Sequence, residues 1–301
     1  LSLAVPILFI LNFLFLVYWL IKRKKKLVWS LLALLVGYLA FGSFYKIGDN
    51  DIGSNEDSYL KIMTYNVHEF NKYEWIKKPN VGDSIIGFIK KQNPDVICVQ
   101  EHIRNRYEQL PEYPYWSETY HSAPRTKQAI FSKYPIVENG SLDLPRTINN
   151  VIYADILYKG DTIRIYNLHL QSFNIVPSSE TFSEEQSEKN YRRLVKTFAK
   201  QQEQAKIFRD HKNKSLYKSI VCGDMNNTQF SNVYRTVKGD LQDTFLEKGK
   251  GFGKTYNLLG FPLRIDYILA DPSFQVISHQ NFNKKLSDHY PVMATLRLKS
   301  D

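Results

Sequence analysis

The sequence predicts packed β-sheets covered by helices, preceded by an apolar helical hairpin. Short apolar runs such as Val96-Ile97-Cys98-Val99 and Ile220-Val221-Cys222 lack the polar alternation of a one-sided sheet, so both of their faces are buried. Strands outnumber helices, and hairpin-linked strands are mixed with helix-linked ones, which favours an α/β arrangement of packed sheets. Ahead of all this stand two uncharged stretches separated by a run of cations.

Leu1 to Ile21 is apolar except for Ser2 and Asn12, and Leu27 to Tyr45 carries no charge. Each is about the length of a membrane span, with Tyr18, Trp19 and Trp29 beside the basic loop Lys22 to Lys26. Residues 1–47 are therefore expected to form two transmembrane helices. The loop would stay cytoplasmic, leaving the rest of the chain extracytoplasmic. A signal peptide with Lys22 to Lys26 as its charged region is disfavoured by the apolar segment upstream. Of the net charge of +10, half lies in residues 1–50, so the remaining domain is only mildly basic and points weakly to a polyanionic partner.

Residues 48–58 are rich in Asp, Asn, Gly and Ser and read as a linker, which sets 59–301 apart as the main domain. Tyr59 to Val67 reads as a strand, and Gly82 to Gln92 as a helix ended by Asn93-Pro94. Asp95 to Gln100 and Gln128 to Ser132 are further strands. Val151 to Tyr158 and Thr162 to Leu170 flank Lys159-Gly160-Asp161 as a hairpin. Ser172 to Asn190 is polar and reads as a loop or lid, and Tyr191 to His211 as an amphipathic helix. Lys218 to Cys222, Arg264 to Leu269, Phe274 to Ser278 and Pro291 to Leu298 complete the strands. Cys98 and Cys222 sit inside apolar runs, where small core residues belong; their spacing suits neither zinc nor a disulfide framework.

Several strands end in small polar or acidic groups. Asn66 follows Ile62 to Tyr65, Glu101 follows Val96 to Gln100, and Asn167 and His169 lie in Tyr166 to Leu170. Asp224 and Asn226 follow Lys218 to Gly223, while Asp266 lies in Arg264 to Ile268 and Asp288-His289 precede Tyr290-Pro291. Gly223-Asp224-Met225-Asn226 alone suits an Asx turn as well as a site. Repeated at so many strand ends, the pattern implies a shared pole. Carboxylates with amides and no cysteine cluster suit a hard cation such as Mg²⁺ or Mn²⁺. The histidines would supply acid-base and charge-stabilising groups.

Thr64-Tyr65-Asn66-Val67, Gln100-Glu101, Asn167-Leu168-His169-Leu170, Gly223-Asp224-Met225-Asn226, Ile265-Asp266-Tyr267-Ile268 and Ser287-Asp288-His289 occur in this order. The series resembles the motifs of the endonuclease/exonuclease/phosphatase (DNase I-like) superfamily and covers about residues 59–298. The resemblance implies a four-layer α/β/β/α sandwich that hydrolyses a phosphoester by metal-assisted in-line attack of water. It implies metal contacts at Asn66, Glu101 and Asp288, and catalytic roles for His169, Asp224, Asn226, Asp266 and His289. Asp224 would orient or deprotonate the water, Asn226 would hold the phosphate, and His289, oriented by Asp266, would bond a non-bridging oxygen. Asn167, Asn226 and Arg264 are the expected substrate contacts. His68 stands where some nucleases of the superfamily carry an acid.

The resulting expectation is a membrane-anchored, divalent-metal-dependent phosphoesterase, a nuclease or a phosphodiesterase/phosphatase. A lipid head-group phosphodiesterase of the sphingomyelinase or phosphoinositide type, and a non-catalytic membrane-bound module, are the alternatives. The expected partners are the membrane and a nucleic-acid or phospholipid substrate, with no protein partner. His68, His102, His121, His211 and His279 are expected to be surface or structural.

Overall fold

A computed structural model describes residues 2–42, 45–48, 58–120, 125–173, 184–258 and 260–299. Two helices come first, α1 (Val5–Ile21) and α2 (Leu27–Phe41), packed against each other. Then follow β1 (Tyr59–Asn66), α3 (Val81–Gln92), β2 (Val96–Gln100), β3 (Tyr115–Glu118), β4 (Gln128–Ser132), β5 (Ile136–Ser141), β6 (Asn150–Tyr158) and β7 (Asp161–His169). The chain continues with α4 (Glu184–Lys212), β8 (Lys218–Asp224), α5 (Asn232–Lys238), β9 (Gln242–Asp243) and α6 (Thr244–Lys248). It ends with β10 (Tyr256–Leu258), β11 (Phe261–Leu263), β12 (Asp266–Ala270), β13 (Phe274–Asn281) and β14 (Val292–Leu298).

Two six-stranded sheets face each other, in the orders β13-β14-β1-β2-β4-β3 and β5-β6-β7-β8-β12-β9. Each has one parallel pair, β1 with β2 and β7 with β8, joined through a helix, and antiparallel strands around it. The apolar runs explain the layering, because successive side chains point to opposite faces. Leu60, Ile62, Cys98, Ile220 and Cys222 fill the core between the sheets. Met63, Tyr65, Ile97 and Val99 point the other way, into a core shared with Ile85, Ile86 and Ile89 of α3. Val221 and Tyr166 meet Ala205 and Phe208 of α4 on the far side. The four-layer α/β/β/α arrangement expected from the resemblance is what the chain adopts.

The expected membrane hairpin is not. The helices α1 and α2 hold 17 and 15 residues, about 25 and 22 Å at 1.5 Å per residue, against a hydrocarbon core of about 30 Å. Among the described residues, no helix is long and apolar enough to cross a membrane. That finding overturns the spanning hairpin, and with it the membrane localisation and the extracytoplasmic placement of the domain. The apolar stretches of sequence are longer than the helices they form, since α1 is preceded by a 3-10 turn at Ser2–Ala4 and α2 stops at Gly42, whose φ is 78°. The hairpin instead touches the sandwich: Ser2 Oγ donates to Asn227 Oδ1 (3.2 Å), and Arg235 donates to the Ala40 carbonyl (3.1 Å).

Part of the expected lid is also revised. Residues 174–183 lie outside the described residues, but Glu184 to Asn190 are already helical, so α4 starts a turn or more before Tyr191. Of the expected linker, residues 49–57 lie outside the described residues.

Candidate active site

Register alone brings the polar strand ends together. In the parallel pairs, Asn66 stands beside Gln100 and His169 beside Asp224, so both pairs end at the same pole. β12 runs antiparallel to β8, and Asp266 begins it directly opposite Asp224. Gly223 permits the close approach: its φ is +131°, and a Cβ there would stand 2.0 Å from the Leu168 carbonyl oxygen. The Asn226 N–H then closes on Asp224 Oδ1 at 2.7 Å, fixing the carboxylate just beyond the strand.

Around this pole, Asn66 Nδ2 donates to Glu101 Oε1 (3.2 Å) and to Asp224 Oδ2 (3.3 Å). His169 Nε2 lies 3.7 Å from Glu101 and 3.9 Å from Asp224. His289 Nε2 lies 3.7 Å from the same Asp224 oxygen, while its Nδ1 meets Asp266 Oδ2 at 3.0 Å. Asp224, Asp266, His169 and His289 are buried, whereas the Glu101 side chain is 30% exposed. Glu101 has φ +50°, which turns the chain out of β2 at the point where its carboxylate meets solvent.

Burial and neighbouring charges divide these groups into two kinds. Burial pushes the Asp224 carboxyl up to about 8; Asp266 adds to the rise, and His289 and the hydrogen bonds from Asn226 and Asn66 oppose it. Burial also works against charge on His289, but Asp266 and Asp224 outweigh it and hold the imidazole well above its ordinary value. His169 goes the other way, because burial lowers its basicity more than Glu101 raises it. The two histidines are thus pushed apart, His289 toward the imidazolium and His169 toward the neutral ring. Burial raises Asp288, yet His68, His289 and Ser287 together hold its carboxyl well below the usual range.

Asp224, Asp266 and His289 place ligand atoms within 4.8 Å of one another. His289 Nδ1 is engaged by Asp266 Oδ2 at 3.0 Å, so within this group the histidine and Asp266 orient one another. Beside them stand the carboxylates of Glu101 and of Asp288, whose Oδ1 is bonded to His68 and Ser287 and whose Oδ2 remains for a cation. No thiolate stands among them, and this all-oxygen set fits a hard divalent ion.

The expected residues do not all meet at this pole in the expected way. Asn66 is there, but its Oδ1 accepts from the His68 N–H (3.2 Å) and its Nδ2 bridges two carboxylates, so it holds acids together instead of offering oxygen to a cation. Asn226 borders the site, with its amide nitrogen donating to the Leu170 carbonyl at 3.0 Å. Asn167 is fully buried between the sheets, donating to the Val99 and Ala129 carbonyls (2.9 and 3.0 Å) and accepting from Gln100 (2.7 Å). Arg264 is buried in a bidentate pair with Asp243 (2.7 and 3.0 Å) and hydrogen-bonded to Gln229. Neither of these last two reaches substrate space; both are structural polar groups.

His68 is the residue that sequence reasoning set aside. Its Nδ1 lies 3.1 Å from Asp288 Oδ1, and its ring stacks on Trp75 at 5.3 Å and 22°. The loop that presents it is left-handed at His68, Glu69, Phe70 and Asn71, with φ of 42° to 60°, a conformation costing about 1 kcal/mol or more per residue. Compensation comes from burial of Phe70, the Glu69 N–H to Glu101 carbonyl bond (2.9 Å), and the Asn71 side chain, which grips both the N–H and the C=O of Ile76. The signal in sequence was the position of His68, two residues past Asn66. Of the other histidines, His102, His211 and His279 are packed structurally, and His121 lies outside the described residues.

Two facing sheets with an acid and histidine pole define a hydrolase scaffold of the DNase I kind. The chain belongs to the Endonuclease/Exonuclease/phosphatase family, which matches residues 63–289 and whose members are generally phosphoesterase hydrolases. Residues 1–44 match a separate family described as Domain of unknown function (DUF8431). Similar solved structures include a family member from Bacteroides thetaiotaomicron, 18% identical with TM-score 0.60, covering 80% of this chain and 98% of that one. Another, from Beutenbergia cavernae, is 19% identical with TM-score 0.61, covering 81% and 72%. D. rerio TDP2 complexed with single strand DNA product is 16% identical with TM-score 0.60, covering 80% and 100%. At these identities the likeness shows the fold alone. No curated protein matches the chain.

Proposed function

We propose that residues 59–301 form a divalent-cation-dependent phosphodiesterase that cleaves nucleic acid, with Glu101 and Asp288 holding Mg²⁺ or Mn²⁺. The observation that carries this is the pairing, within 4 Å, of a buried carboxyl at Asp224 with an imidazolium at His289 that Asp266 orients. A cation held there would neutralise phosphate charge and acidify the attacking water.

The residues supply the rest. His289, positive and held through Nδ1, has Nε2 left to donate to a non-bridging phosphate oxygen as its charge grows. Asp224 takes the proton of the attacking water. Its own proton, retained up to about 8 by burial against the opposing charge of His289, must first pass to solvent. His169, neutral and touching Thr126 Oγ1 through Nδ1 (3.3 Å), lies 3.7 Å from Glu101 and steadies the same pole. Asn226 adds an amide at the phosphate edge.

A nucleic-acid substrate is supported by the mildly basic domain and by the single strand DNA product bound to D. rerio TDP2 on this fold. A lipid substrate was favoured by membrane tethering alone, and among the described residues no helix is long and apolar enough to supply it. The full chain, assayed on DNA, RNA, nucleotides and phospholipids with Mg²⁺ or Mn²⁺, should cleave nucleic acid, stop in EDTA, and lose two or more orders of magnitude in rate on Asp224→Asn. Activity unchanged by EDTA, or retained in Asp224→Asn, rejects the proposal. Binding of nucleic acid without cleavage by the full chain would make it a binding module.

A further inference from the structure

We infer that the cavity beside His68 and Trp75 is a subsite that takes a nucleobase of the substrate against its aromatic wall. The inference rests on the nucleic-acid reading above and deepens it. The cavity holds about 220 Å³ and is bounded by His68, Trp75, Ile76, Leu286, Lys285 and Asp288. It shares Asp288 with the phosphate pole, so a base seated here belongs to a nucleotide whose phosphate lies at that pole. Its volume is below the roughly 300 Å³ at which pockets begin to enclose drug-sized ligands, which suits one flat ring system.

The walls select the kind of ring. Trp75 is 62% exposed and already stacked on His68, so a rigid π-surface stands ready at the cavity. Ile76 and Leu286 supply apolar edges. The Asn71 grip on Ile76, with 2.8 and 2.9 Å bonds, closes the loop around Trp75, so little side-chain freedom is lost when a base stacks on it. Tyr73, 58% exposed on the same loop, lies edge-on to Trp75 and extends the platform outward.

Charge decides between a base and a cationic head group. A quaternary ammonium is held by aromatic faces away from other cations. Here Lys285 lines the cavity, Lys72 stands over Tyr73 on the same loop, and the Asp288 carboxylate is engaged by His68. A neutral aromatic ring carrying a phosphate fits this pattern, and stacking on such a platform is tolerant of base identity.

The test compares the full chain and Trp75→Ala on oligothymidylate and on an abasic oligomer of equal length and charge. The preference of kcat/KM for the base-bearing strand should fall about tenfold in Trp75→Ala, the loss entering through KM, with Trp75→Tyr recovering most of it. An unchanged preference overturns the subsite. Calorimetric titration with thymidine 5′-monophosphate in EDTA gives a readout independent of cleavage, and there Trp75→Ala should weaken binding about tenfold. A chain that binds the nucleotide in this Trp75-dependent way but cleaves nothing keeps the subsite and rejects the hydrolase reading. A chain that cleaves both strands equally rejects the subsite and keeps the hydrolase. Phosphocholine binding that depends on Trp75 where thymidine 5′-monophosphate does not bind would overturn the assignment to a base.

Discussion

His289 Nδ1 lies 3.0 Å from Asp266 Oδ2, and Asp266 stands directly across the β8–β12 ladder from Asp224. One carboxylate therefore sets the orientation and charge of the histidine, while the histidine spreads that charge toward the other. Asp266→Asn keeps the shape and removes the charge. It should lower kcat by about two orders of magnitude, with KM changed much less. Steady-state kinetics on the cleaved substrate measures this, and a kcat within threefold of the original would show that His289 does not depend on Asp266.

Asn167 spends its amide on Val99, Ala129 and Gln100 between the sheets. Asn167→Ala takes the donor from the Val99 and Ala129 carbonyls, while Gln100 keeps Thr64 and Cys98, and should cost about 2–6 kcal/mol at roughly 1–3 kcal/mol for each unsatisfied buried group. Denaturant unfolding reads the loss directly. A substrate-contact role would instead raise KM at unchanged stability.

Arg264 and Asp243 form a buried bidentate pair that also anchors α6, since Asp243 accepts from the Phe245 N–H (3.0 Å). Breaking it with Arg264→Met leaves an unpaired buried carboxylate and should cost about 3–5 kcal/mol. Combining Arg264→Met with Asp243→Asn should recover part of that cost. Activity per folded molecule should stay within a few-fold in both variants, as measured after titrating the native fraction by circular dichroism.

His279 is buried between Thr244 Oγ1 (2.7 Å) and Asn281 Oδ1 (3.2 Å). Burial lowers it from 6.5 to about 4; Arg264 deepens the shift, and Asp243 and the Asn281 bond oppose it. The unfolded chain protonates this ring near 6.5 and the folded chain only near 4, so the unfolded state binds more protons between those values. Stability from this group is full above about 6.5 and declines by about 3 kcal/mol as pH falls toward 4. His279→Gln should flatten the melting temperature over that window. A variant that tracks the original curve would assign the acid sensitivity elsewhere.

The local pattern of the chain determined the layers and the list of polar strand ends. Doubly buried strands need apolar side chains on both faces, so Tyr59 to Val67, Asp95 to Gln100 and Lys218 to Cys222 were legible as strands. Asn66, Glu101, Asn167, His169, Asp224, Asn226, Asp266, Asp288 and His289 were legible as one set of polar strand ends, from which Asn167 departs by lying between the sheets. The short edge pieces β3, β5 and β9 were not legible, because β3 and β9 hold only 4 and 2 residues and β5, largely open to solvent, carries no apolar run.

Tertiary structure decided what each polar group does. Asn167 and His169 lie two residues apart on one face of β7, and nothing local separates them; depth does, since Gln100 and Gln128 cover the first while the second reaches Glu101. Arg264 looked available until Asp243, brought over by β9, neutralised it. His68 looked peripheral until a left-handed turn folded it onto Asp288 and Trp75. Hydropathy made the first 45 residues resemble spans, but the distance a helix covers depends on where its hydrogen bonding starts and stops, and only the folded chain fixed those ends.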